Sequence, residues 1–230
     1  MRRWCALAFL FCFFLGIAAS AQPREQGRLK ASYDVLQDVL GMPDKGIPVN
    51  LLNKAECVIV VPGMKKAAFV FGASYGRGVM VCRSGENFRG SWGPPAFFAL
   101  EGGSFGLQIG GESTDFVILV MNEKGARSIM SSKVKLGGDA SVAAGPVGRT
   151  TAAETDVVMN AEMLSWSRNK GVFAGLSLEG STIRSDDEAN KNFYGKELNA
   201  KQILVQEAVK APAEASALDR LLARSSPSRG

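Results

Sequence analysis

Histidine is absent from the 230 residues. That excludes Ser-His-Asp and Cys-His nucleophile machinery and removes the commonest metal ligand. Cysteine is scarce: Cys5 and Cys12 lie in the first apolar stretch, which leaves Cys57 and Cys82. Two thiols without a histidine do not make a Cys-rich structural zinc site, so no metal and no cofactor is expected. A P-loop is also missing, because Gly195-Lys196 lacks the upstream glycine and the following Ser or Thr. The glycine pairs at 102–103 and 110–111 do not fit G-x-G-x-x-G in a strand-to-helix unit. Charge is mild, with 27 Lys and Arg against 22 Asp and Glu, and gives no reason to expect a nucleic-acid partner.

Long apolar runs are rare too. Trp4–Ile17 is one, preceded by Arg2 and Arg3 and followed by Ala19-Ser20-Ala21. A basic start, a short apolar stretch and an A-x-A site form the pattern of a secretory signal peptide. An uncleaved anchor is the alternative, and the run is short for a membrane span. Residues 1–21 are therefore expected to be removed. The mature chain would start at Gln22 and be exported, periplasmic or extracellular, soluble or peripheral to a membrane. In an oxidising compartment Cys57 and Cys82 can pair or stay free; both border strand-like runs, and geometry decides.

What is present is glycine in unusual places. Most of the 26 glycines fall between Gly63 and Gly180, embedded among apolar residues. Leu29, Tyr33, Leu36 and Leu40 recur at helical spacing over residues 24–41, and Pro48–Glu56 reads as a short second helix. CVIVV (57–61) then reads as a buried strand ended by Pro62-Gly63, with Lys65 and Lys66 at a hairpin tip. Gly76-Arg77-Gly78 reads as a tight turn. PAFFALEGGSFGLQIGGE reads as a glycine-broken strand pair or one bent strand, and DFVILVMN as another strand. Helices are predicted near 122–131, 186–194 and 200–209; 156–168 is ambiguous, 171–181 alternates like a strand, and the end of the chain resembles a frayed tail. The predicted class is α+β: a largely antiparallel, strongly curved or barrel-like glycine-rich sheet with helices at both ends. One domain is expected over 22–199, followed by a weak helix and disordered tail over 200–230.

Residues 133–149, KVKLGGDASVAAGPVGR, alternate like a strand but consist largely of Gly, Ala and Ser. Small residues in a strand let a backbone or a bulky ring approach closely. The stretch reads as a bent, close-packed strand pair with Asp139 as a structural acid bonded to backbone N–H groups.

Glu101, Glu112, Asp115, Asp139 and Glu179 have apolar surroundings, and some hydrolases work with carboxylates alone. No spacing places two of them in one cleft, so no catalytic residue is assigned and the protein is expected not to be an enzyme. The basic residues are more suggestive. Lys65, Lys66, Arg77, Lys133, Lys135 and Arg149 sit at or beside glycine turns, where cations and backbone N–H groups hold anions. Arg168 and Lys170 flank another turn. A shared patch needs three such turns at one end of the sheet; otherwise these are solvated surface charges. The first helix carries Arg24, Arg28 and Lys30 near its start. It can pack on the sheet or lie on an anionic membrane.

The blocks GIPVNLLNKAECVIVVPGMKKAAFVFGASYGRGVMV, WGPPAFFALEGGSFGLQIGGESTDFVILVMN, SKVKLGGDASVAAGPVGR and SRNKGVFAGLSLEGSTI, with a later NFYG, resemble the SYLF family in order from Leu29 to Gly195. This family includes the actin-binding region of yeast actin-patch proteins. The resemblance implies a lipid-binding module whose eukaryotic relatives bind phosphoinositides, with some bundling actin. Bacterial members stand alone and are often exported. With a leader and no neighbouring domain in the chain, a membrane lipid or anionic headgroup is the expected partner and actin is not. In relatives, an N-terminal amphipathic helix and basic residues are implicated in lipid contact. These map onto Arg24–Leu40 and onto Lys65, Lys66 and Arg77. Trp166 stands where the family usually carries tyrosine. An envelope module that binds protein and not lipid is the alternative.

Overall fold

The computed structural model describes residues 22–42, 46–68, 71–105, 110–131, 133–147, 156–169, 172–206 and 208–227. The expected signal peptide lies outside these residues. Helix α1 (Gln22–Leu40) is followed by α2 (Val49–Lys54) and then by strands β1 (Cys57–Ala68), β2 (Phe71–Cys82), β3 (Ala96–Phe105) and β4 (Gly110–Val120). After α3 (Glu123–Ser131) come two short strands, β5 (Val134–Lys135) and β6 (Val142–Ala144). Next are α4 (Asp156–Asn160), β7 (Met163–Asn169), β8 (Val172–Gly175) and β9 (Thr182–Ser185). The chain finishes with α5 (Asp187–Tyr194), α6 (Ala200–Leu204) and α7 (Ser216–Ser225). No helix among the described residues is long and apolar enough to cross a membrane.

The strands form one sheet in the order β5-β9-β3-β2-β1-β4-β7-β6, with β8 added to β7. Every pairing is antiparallel except β6 with β7. The edge strands β5 and β6 are joined by residues 136–141 alone. Eight strands laid flat would set the edges roughly 34 Å apart. The connecting backbone reaches at most about 24 Å, so the sheet must curl. The α+β class with a strongly curled, mostly antiparallel sheet is thus as expected. The stretch at 133–149 is not a strand pair within itself, however. Its ends form the two opposite edges of the sheet.

Both faces of the curl are covered, which explains why CVIVV is apolar without alternation. Cys57, Ile59 and Val61 face an inner core with Met80, Phe98, Ile118, Met163, Val134, Leu136, α3 and α6. Val58 and Val60 face an outer core with Val79, Phe97, Leu119, Trp166 and helices α1, α2, α5 and α7. Cys57 and Cys82 are directly opposed in the β1–β2 register and joined by a disulfide.

Several local readings are corrected. Pro62-Gly63 is no turn but a bulge inside β1, where the β1–β4 register shifts between Val61 and Met64. Gly63 supplies the positive φ of 58° that an extra residue in a strand requires. Lys65 and Lys66 therefore lie in the strand. Gly76-Arg77-Gly78 is likewise strand, in register with 98–100 of β3. Residue 76 has no room for a Cβ beside Val61 and Met64, nor has residue 78 beside the Val60 carbonyl. β3 and β4 are consecutive yet not paired, being separated in the sheet by β2 and β1. The segment read as a frayed tail is helical over Ser216–Ser225: α7 buries Leu218, Leu221 and Leu222 against the outer core. Arg83, fully buried, donates to the carbonyls of Ala55, Ser226 and Pro227 and to Ser226 Oγ. Its guanidinium lies 4.4 Å from the Trp92 ring centroid, and this fastens the end of α7 to the sheet.

The expectation that small residues admit a ring holds at one place. A Cβ on Gly145 would run into the Trp166 indole, and one on Gly175 into the Gly145 carbonyl. Trp166 is fully buried and its Nε1 donates to Pro146 O at 3.0 Å.

Candidate functional site

The antiparallel topology sends three chain reversals to one end of the sheet. Ala68 and Phe71 flank the β1–β2 turn, Phe105 and Gly110 the β3–β4 passage, and Asn169 and Val172 the β7–β8 turn. The register places them together: Ala68 faces both Gly72 and Gly110, and Phe71 faces Phe105. The disulfide lies at the opposite end.

On the outer face this hairpin end is basic. Lys65, Tyr75, Glu101 and Thr182 stand in one rung across β1, β2, β3 and β9, with Lys135 next to Thr182 on β5. Arg77 and Arg184 stand in the neighbouring rung, both in register with Ala99. Glu101 is held between Arg184 at 2.8 Å and Lys133 at 3.4 Å. The hydrogen bond from Arg184 holds its carboxyl below the usual range and offsets its partial burial. Arg77 Nε donates to Tyr75 Oη at 2.7 Å, a bond that raises the guanidinium pKa further. Lys65 Nζ reaches Ser113 Oγ at 3.2 Å. Lys135 is exposed. One carboxylate therefore serves Arg184 and Lys133, while Lys65 and Lys135 keep exposed charge around it and Arg77, half-exposed, lies 3.4 Å from Asp186.

Arg28 is different. Its side chain is only 10% exposed, 3.2 Å from Asp186, and stacks over Phe97 at 5.2 Å. Asp186 also lies 3.4 Å from Arg77 and accepts from Ala189 N at the start of α5. Arg28 thus ties α1 to the sheet and is not offered to a ligand. Arg24 and Lys30 are exposed on α1, Lys30 paired with Asp34 at 2.7 Å. Leu29, Val35, Leu36 and Val39 are buried in the outer core, each worth about 1.5–3 kcal/mol. The apolar stripe of α1 is therefore used inside the fold. Arg168 is drawn to Asp115 at 2.7 Å and to Asp38; its burial opposes its charge, but these two bonds outweigh that and raise its pKa. Arg149 and Lys170 lie outside the described residues.

Among the described side chains, the carboxylates read as hydrolase candidates are not brought into one cleft as an acid/base pair. Asp115 serves Arg168 and the Gly63 N–H at 2.8 Å. Asp139 is exposed and accepts from Lys135 N at 2.8 Å, closing the 135–139 turn. Glu179 is exposed, and the Glu112 side chain lies outside the described ones. No cluster of three or more Cys, Asp or Glu able to hold a metal occurs among the described residues.

The inner face at the same end encloses a cavity of about 340 Å³, lined among others by Lys66, Ser74, Gly102, Thr114, Ser167 and Ser181. A larger hollow of about 750 Å³ lies between α3 and α6. It is an open groove of helix-surface residues and gathers none of the candidates. Sequence reasoning missed Arg184 and Tyr75. The alternation of Thr182–Ser185 and the Tyr next to Gly76-Arg77 were the available signals, but only the register shows that they meet.

Residues 101–225 match the family model described as Ysc84, Las17-binding protein actin regulator. The chain is 37% identical to Protein YSC84 of Saccharomyces cerevisiae over 78% of its own length and 38% of that relative. It is 34% identical to LAS seventeen-binding protein 3 of the same yeast, over 80% and 40% respectively. To the human SH3 domain-containing YSC84-like protein 1 it is 32% identical, over 78% and 52%. The chain thus spans about two fifths of the length of the yeast relatives.

Proposed function

The chain belongs to the Ysc84 (SYLF) family, and from that premise we propose that it is a non-catalytic module that docks on anionic lipid surfaces through the hairpin end of its sheet. One observation carries this reading: Lys65, Arg77, Lys133, Lys135 and Arg184, distant in sequence, stand together on the outer face beside three chain reversals. Such a basic patch suits phosphate-bearing headgroups, phosphoinositide-like ones included, because each cation near an anionic surface adds about 1 kcal/mol. The exposed polar side of α1, with Arg24 and Lys30, extends the same field. In this reading a leader at residues 1–21 sends the module to the periplasm or beyond the cell. It meets the membrane peripherally there.

Flotation of the protein with phosphatidylglycerol vesicles tests it. The triple variant Lys65→Gln, Lys133→Gln, Lys135→Gln should bind roughly a hundredfold more weakly, at about 1 kcal/mol per cation. Binding of the unaltered protein should fall as salt screens the patch. Vesicle binding that ignores salt, lipid charge and these three lysines would overturn the proposal. A protein partner is the second reading, motivated by the relative named LAS seventeen-binding protein 3. It would be favoured by a stable complex with a defined protein formed by a lipid-indifferent domain.

A further inference from the structure

Among the described residues, two carboxylates touch the cations of the patch formed by Lys65, Arg77, Lys133, Lys135 and Arg184, and they are held differently. Asp186 lies 3.4 Å from Arg77, but its side chain is only 6% exposed. It also accepts from Ala189 N at the start of α5 and pairs with Arg28 at 3.2 Å. An acid anchored in this way cannot leave without stranding a buried charge. The Glu101 side chain is 30% exposed. Among the described residues it accepts only from Arg184 at 2.8 Å and Lys133 at 3.4 Å. Pairs as exposed as these add little to stability, so the fold itself gives little reason for an acid at this position.

The register supplies one. Glu101 is the central residue of a rung that crosses five strands, Lys65–Tyr75–Glu101–Thr182–Lys135. Neighbouring strands are about 4.8 Å apart, so the two terminal lysines spring from roughly 10 Å on either side of it. Arg184 reaches Glu101 from the neighbouring rung, and Lys133 from just before β5. The carboxylate thus stands at the middle of the patch and uses the guanidinium and ammonium donors that a phosphate would use. Exchanging one carboxylate for one phosphate leaves the pairing of Arg184 and Lys133 unchanged in number. The exchange gains only when further phosphates engage Lys65 and Lys135 at the same time, which takes a surface dense in anionic headgroups.

We propose that Glu101 is a built-in counter-ion that sets how anionic a surface must be before the patch engages it. On a dense surface, phosphate oxygens replace the carboxylate at Arg184 and Lys133, and Glu101 turns to water. On a sparse surface the carboxylate keeps both cations. The ligand is that of the lipid-surface reading above, on which this role rests; Glu101 regulates that site.

Flotation with phosphatidylglycerol vesicles, either rich in that lipid or diluted with phosphatidylcholine, tests this role. Glu101→Gln is nearly isosteric and should keep the melting temperature of the unaltered protein. It should bind the rich vesicles about 25-fold more tightly, about fivefold for the negative charge removed and about fivefold for the cation charge set free. It should also bind diluted vesicles that the unaltered protein ignores. Glu188→Gln is the control, because Glu188 is exposed on α5 and acts on Arg77 through its charge alone; its gain should be at most about fivefold. With Arg184→Gln and Lys133→Gln in place, the gain from Glu101→Gln should shrink to that of the control. A Glu101→Gln gain no larger than the control's, or one that stays within about twofold with and without the two cations, overturns the proposal. If that happens on vesicles that capture the unaltered protein, the counter-ion role falls and the surface reading stands. Calorimetric titration with pyrophosphate separates the converse case. Tighter pyrophosphate binding by Glu101→Gln, lost without Arg184 and Lys133, with no vesicle bound by any variant, keeps the counter-ion role and overturns the lipid surface. No response to vesicles or to pyrophosphate overturns both.

Discussion

The two ends of the curled sheet are made from the same strands and differ in what fills them. At the disulfide end the inner face is packed with Ile59, Met80, Phe98, Ile118 and Met163, all fully buried. At the hairpin end it is lined by Ser74, Thr114 and Ser167 around a hollow. The first end resembles any protein interior, where volume lost is stability lost. The second gives up that packing, and small polar residues keep it open. The fold thus sets dense packing at one end and an open hollow at the other along the same strands.

Truncation on one strand is the sharpest way to break this comparison. Ile118 and Thr114 both face inward on β4, two rungs apart in the sheet. Ile118→Ala should cost about 2–5 kcal/mol, since the removed side chain is fully buried and the cavity cannot collapse. Thr114→Ala should cost under about 1 kcal/mol, as its hydroxyl bonds no described residue and its surroundings are already hollow. Urea unfolding of the two variants measures both, and similar losses would mean that the ends do not differ energetically. Next in size is the disulfide, which pins the packed end alone. Its loop has a sequence separation of 25 residues, so Cys57→Ala with Cys82→Ala should lose about 3 kcal/mol, the loop-closure expectation.

How much of this was legible in the sequence differs between the ends for physical reasons. Apolar periodicity identified α1, α2 and α3 because helix burial repeats every three to four residues whatever lies opposite. CVIVV was readable as a buried strand because both faces of β1 are covered. The glycine-rich strands were harder. Pro62-Gly63 and Gly76-Arg77-Gly78 carry turn chemistry, yet one is a bulge and the other needs glycine for close approach to β1. Local composition cannot tell a turn from a strand whose neighbour takes its space. The basic residues were found one by one. Arg28 looked like its neighbours until Asp186, far along the chain, was seen to hold it. Arg184 was overlooked because its partner Glu101 lies on another strand. The family resemblance ended at Gly195, whereas the family match extends to residue 225, through α7. The chain's end was misread because an Ala- and Ser-rich segment has little apolar signal before Leu218, Leu221 and Leu222 find α1.

The smallest expected effect sharpens the comparison by pH. Asp219 on α7 is partly buried behind the packed end, with one carboxylate oxygen buried and unpaired. Burial pushes its pKa from 3.8 up to about 7, with Arg220 opposing weakly. Tyr194, whose hydroxyl donates to Pro95 O at 2.5 Å, is raised by burial and then by the charge of Asp219. For an acid whose folded pKa is raised, the folded state favours the proton. Below about pH 4 the group is protonated in both states and costs nothing; as pH rises toward 7 the folded state must hold a proton or an unpaired charge, and the cost then levels off. The full shift would correspond to about 4 kcal/mol, but solvent reaches part of the side chain, so about 1–2 kcal/mol is the fair expectation. Asp219→Asn should therefore stabilise the protein by that amount at pH 8 and by nothing at pH 4, read from urea midpoints at the two pH values. A gain of equal size at both would assign the effect to packing and not to charge.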